Sequence, residues 1–102
     1  MKIDDNTIKR IEQAFGFQLH GWQKDYLLGK TRYRAGGRCN GNTFAYCVKL
    51  LLSDGEPIQR RYLSIYRDEE HGNGYPRWFA GYALEINDKL VKAGFETRVQ
   101  NL

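Results

Sequence analysis

With 102 residues, 41% of them hydrophobic and 14% aromatic, the chain has room for one domain, residues 1–102, and one modest core, and it is too apolar for a disordered segment. The formal charge of +4 argues against acid-rich mimicry of DNA and suits either a polyanion partner or an ordinary basic surface. Met1-Lys2-Ile3-Asp4-Asp5 lacks the apolar run of a signal peptide, and no segment approaches the roughly 20 apolar residues of a membrane span, so a soluble, cytoplasmic protein is expected.

The spacing of Ile8, Ile11 and Phe15 predicts a helix over residues 7–15, capped by Asn6 or Thr7 and ended by Gly16. A second helix is expected over 19–28, with Leu19, Trp22 and Tyr26 on its stripe and Gly29 closing it. Residues 31–35 read as a short strand. A helix follows over 43–52, burying Phe44, Cys47, Val48 and Leu51, and Ser53-Asp54-Gly55 reads as a turn. The β-branched and aromatic run Tyr62-Leu63-Ser64-Ile65-Tyr66 predicts a strand, and 68–75, with Gly72 and Gly74, a loop. Pro76 suits the first turn of the longest helix, which runs to Ala93 with Phe79, Ala83, Ile86 and Leu90 inward and Gly94 as its stop. Phe95, Thr97 and Val99 alternate as a last strand. The expected fold is α/β: two short helices, then a small three-stranded, mainly parallel sheet with flanking helices.

The stretch carrying most chemistry is Gly36-Gly37-Arg38-Cys39-Asn40-Gly41-Asn42-Thr43. It matches the phosphate-loop pattern G-x-x-x-x-G-K-[ST] at Gly36, Gly41 and Thr43 and departs from it at Asn42, where a lysine belongs. Such a loop aims backbone N–H groups at an anion, while the missing lysine removes the cation that reaches the outer phosphates. The expectation is therefore binding without efficient hydrolysis, or else a tight glycine turn capped by Thr43. Arg32, Arg34 and Arg38 around the loop, and Arg60 and Arg61 further on, have the spacing of a polyanion track. Cys39 and Cys47 lie eight apart, and His20 and His71 are isolated, so no zinc set is expected. Glu85 and Asp88 share a helix face with Lys89 and Lys92 nearby, which reads as local charge pairing.

Upstream, Phe17-Gln18-Leu19-His20-Gly21-Trp22-Gln23-Lys24-Asp25-Tyr26 resembles the glutamine-bearing segment that precedes the phosphate loop in helicases and phage terminase large subunits. Together with Gly36 to Thr43 and Phe44-Ala45-Tyr46, it looks like the front end of a terminase-type ATPase, over about residues 15–52. The resemblance implies that Gln23 reads a base edge, that ATP or GTP is the nucleotide, and that the protein is a small phage or prophage product acting in the host cytoplasm. It also implies a metal-binding carboxylate after an apolar strand. Asp68 or Glu69 stands in that position, but it comes only one helix after the loop and Arg67 interrupts the run, so an ordinary solvated charge cluster at a strand end is the preferred reading and no metal is assigned.

Two functions are expected from these residues. One is an accessory module that holds nucleotide or nucleic-acid phosphate at Gly36, Gly37, Arg38, Gly41, Asn42 and Thr43, with Arg34 and Arg38 supplying charge. The other is a protein-binding inhibitor of a host defence system, such as an anti-CRISPR factor, in which the loop is only structural. Tyr75, Trp78 and Tyr82 would then anchor the partner, or stack on nucleic acid in the first case. No nucleophile–base–acid set links Ser64, His20 and His71, so an enzyme is not expected.

Overall fold

The computed structural model describes residues 3–33, 42–68 and 73–100. Four α-helices dominate: α1 (Asp5–Phe15), α2 (Gly21–Leu27), α3 (Asn42–Leu52) and α4 (Tyr75–Lys92). Between α3 and α4 come strand β1 (Ile58–Gln59) and a 3₁₀ helix (Arg60–Tyr66), and strand β2 (Val99–Gln100) follows α4. The two strands pair in parallel, Ile58 opposite Val99 and Gln59 opposite Gln100.

The expected three-stranded sheet is therefore replaced by this two-residue pair on a mostly helical chain. Residues 62–66 form a 3₁₀ helix instead of a strand. A strand would put Leu63 and Ile65 on one face, yet Leu63 is fully buried and Ile65 is 66% exposed. Leu63 is the buried residue of this 3₁₀ helix, and the helix packs against α4. Residues 31–33 are not a strand either, and the rest of that expected element lies outside the described residues. The last strand shrinks to Val99–Gln100, with β1 as a partner that periodicity did not reveal.

The helices form where apolar spacing places them, with different caps. Asp4, rather than Asn6 or Thr7, caps α1: its Oδ1 accepts from the Thr7 backbone N–H and from the Thr7 hydroxyl, both at 2.9 Å. Gly16 ends α1 at φ 76°, a left-handed position that glycine adopts without strain. Pro76 sits in the first turn of α4. One core joins Ile8 and Ile11 of α1, Tyr26 and Leu27 of α2, Val48 and Leu51 of α3, and Phe79, Ile86 and Leu90 of α4. Among the described residues no helix is long and apolar enough to cross a membrane.

Candidate functional site

The glycine loop lies outside the described residues, but both its ends are placed, and they meet at one carboxylate. Asp68 Oδ2 accepts from the Tyr33 hydroxyl at 2.5 Å and from the Thr43 hydroxyl at 3.0 Å. Its Oδ1 accepts from the Tyr75 hydroxyl. Tyr33 and Thr43 lie on either side of residues 34–42, and Asp68 and Tyr75 on either side of 69–74, so one side chain joins the residues flanking two segments of the chain. Burial alone would push the Asp68 carboxyl up, but the bonds from Tyr33, Tyr75 and Thr43 outweigh it and hold the group below its ordinary value. Asp68 is thus a structured anion at the start of α3, not a solvated charge at a strand end.

Thr43 stands on the first turn of α3, and its hydroxyl donates to Asp68. Asn42, at the lysine position of the pattern, is buried. Gly36, Gly37, Arg38, Gly41 and Arg34 lie outside the described residues, as do Cys39, Glu69 and His71. Cys47 is fully buried, and burial pushes its thiol far up, so it is a core residue and not a nucleophile. Among the described residues no group of three His, Cys, Asp or Glu side chains is placed to hold a metal ion.

A cavity of about 430 Å³ opens between the α1–α2 connection, α3 and α4. Phe15, Phe17, Phe44, Tyr82 and Ile86 supply its apolar walls. Gln18, His20, Gln23, Glu85 and Lys89 supply its polar groups. Two hydrogen bonds shape the connection. Leu19 N–H donates to Glu12 Oε2 at 2.7 Å, and His20 N–H donates to Gln23 Oε1 at 2.8 Å. They turn Leu19 into the core and leave Phe17 46% exposed beside the Phe44 ring, 5.3 Å between centroids. Gln23 is buried, and its acceptor oxygen closes half of a capping box on α2. A glutamine engaged in this way is less free to read a base than the sequence suggests.

The cavity and the Asp68 cluster share one face of α4. Tyr75, Trp78, Tyr82, Glu85 and Lys89 follow one another at steps of three and four, which is a helical stripe. Tyr75 and Trp78 are 5.5 Å apart between ring centroids, and Trp78 stacks on Tyr82 at 5.0 Å and 15°. Of the expected arginine track, Arg34 and Arg38 lie outside the described residues. Arg60 reaches Asp88 at 4.0 Å, and Arg61 donates to Gln59 at 3.0 Å while lying over the Tyr62 ring. Arg32 is exposed just after α2.

Sequence reasoning missed Tyr33, which seemed to belong to a strand, and Tyr46, whose hydroxyl donates to the Tyr66 carbonyl at 2.6 Å. No local pattern marks either, since each acts through a partner 20 or more positions away. Comparisons with protein-family models, curated proteins and solved structures give no match, so the likeness to terminase-type ATPases rests on the motif residues themselves.

Proposed function

We propose that this chain binds the phosphate of a nucleotide or of nucleic acid at residues 36–43, without efficient hydrolysis. The observation carrying this reading is the Thr43–Asp68 hydrogen bond. The pair matches the loop threonine and separate aspartate that hold magnesium in phosphate-loop enzymes, and here they are in contact although 25 positions apart. A magnesium ion at this place would draw on Thr43, Asp68 and the ligand's own phosphate oxygens, the mixed ligand set that this ion favours. Turnover is disfavoured because Asn42 brings no charge to the outer phosphates.

Calorimetry with ATP and GTP, with and without magnesium, tests the reading. Binding that weakens with salt and is lost in Gly41→Ala and Thr43→Ala is the expected result. Absence of binding by the native protein at millimolar nucleotide overturns it.

A second reading draws on Trp78, which is 51% exposed on the Tyr75–Trp78–Tyr82 stack. A large ring half in water is the kind of anchor that a protein partner buries, and it favours the inhibitor role. Trp78→Ala that abolishes the biological effect while leaving nucleotide affinity unchanged would select this reading.

A further inference from the structure

We infer that the cavity between the α1–α2 connection and α4 takes a guanine base, read by Glu85 and Lys89. This inference rests on the phosphate-binding reading and names the ligand class of the same site. The cavity's volume of about 430 Å³ lies within the range of small-ligand pockets, and its walls offer Phe17, Phe44 and Tyr82 for contact with a flat ring.

Its position fits a nucleotide whose phosphates sit at Thr43. Phe44, the next residue, lines the cavity, and the α4 stripe leads from Tyr75 on Asp68 to Tyr82 on the cavity wall. Seven residues of helix separate those two tyrosines, about 10 Å along the axis, a span that an extended nucleoside triphosphate covers.

The polar groups decide the base. Gln23 Oε1 accepts from the His20 N–H, so its amide is already engaged in capping α2. Glu85 is a carboxylate, an acceptor only, exposed at the mouth of the cavity and outside every ion pair of the described residues. Guanine places two donors side by side, N1–H and the N2 amino group, for two carboxylate oxygens; adenine has no such pair. Lys89 lies one turn further along the same face, with its ammonium 5.5 Å from the Phe15 ring centre, and donates toward guanine O6 or N7. The carboxylate gains two charge-assisted bonds from guanine and at most one from the adenine amino group, so guanine is preferred.

The guanine can come from a free nucleotide or from a single strand, and the test separates these sources. Affinities of the native protein are measured for GTP, ATP, guanosine, inorganic tripolyphosphate and an oligothymidine carrying one guanine. The same set is run on Glu85→Gln and Phe17→Ala, both at exposed positions, with circular dichroism checking that each variant keeps the native fold. Expected are a preference for GTP over ATP of about tenfold or more, its loss in Glu85→Gln, and weaker binding of guanosine in Phe17→Ala. Equal affinity for GTP and ATP in the native protein overturns the inference, as does a preference that Glu85→Gln leaves unchanged. Tripolyphosphate binding without any gain from guanine overturns the base site and leaves the phosphate reading standing. Guanosine binding without tripolyphosphate binding does the reverse. Tighter binding of the guanine-bearing oligonucleotide than of GTP assigns the base to a strand; the opposite order assigns it to a free nucleotide.

Discussion

Asp68 is the side chain on which most of the local architecture turns, and its ionisation carries a pH signature. The unfolded chain takes up this proton near the ordinary value of 3.8, and the folded chain only at lower pH. The stabilisation is therefore complete above that value and drains away as pH falls through the folded one. Urea denaturation at pH 7 and pH 3 should show the native protein losing more stability than Asp68→Asn; equal losses would mean that the three hydroxyls do not stabilise the charge. Tyr26 gives the opposite sign. Burial first, then the charges of Tyr46 and Asp68, push its hydroxyl up to about 12, while the unfolded side chain ionises near 10.0. Stability is intact below pH 10 and falls as pH rises toward 12. This group alone accounts for a loss on the order of 2 kcal/mol, which Tyr26→Phe should spare in alkaline denaturation.

At the scale of elements, legibility followed the range of the forces that set each one. The helices were readable because their apolar faces and stops are written within a few positions: Ile8 and Ile11 inward, Gly16 at φ 76°, Pro76 at the start of α4 and Gly94 at φ 92° after it. The sheet was not readable, because Tyr62, Leu63, Ile65 and Tyr66 have the composition of a strand while their placement is decided by α4. Propensity for a strand is a preference for a half-buried pleated surface, and here a helix offers the surface instead. The burial of Leu63 makes this testable. Leu63→Ala should cost about 2–5 kcal/mol in chemical denaturation, and Ile65→Ala no more than about 0.5 kcal/mol. Similar costs at both positions would restore the strand. The turn at Gly55 shows a different dependence: a Cβ there would lie 2.6 Å from the Arg98 guanidinium, whose Nε donates to the Glu56 carbonyl at 3.1 Å. The glycine was legible as a turn residue, but its arginine partner, 43 positions away, was not.

Across the whole molecule an aromatic belt joins the parts that matter. Trp22, Tyr26, Tyr33, Tyr46, Phe79 and Tyr75 follow in ring contacts of 5.2–6.4 Å, and Trp78 and Tyr82 continue the line to the cavity. The tyrosines stood out in the sequence as contact area with polar tips, yet their order in space depends on how α2, α3 and α4 pack. The same holds for the candidate site. Thr43 and Gln23 were visible as motif letters, whereas Tyr33, Glu85 and the Thr43–Asp68 contact needed the fold. The central claim is that one nucleotide lies with its phosphates at the start of α3 and its base against α4. Backbone amide shifts followed by NMR during titration with GTP and magnesium test it most directly. The account predicts perturbations at Gly41, Thr43 and Asp68 together with a second group at Phe17, Gln23 and Glu85. Shifts confined to Trp78 and its neighbours, or none at saturating nucleotide, would contradict it.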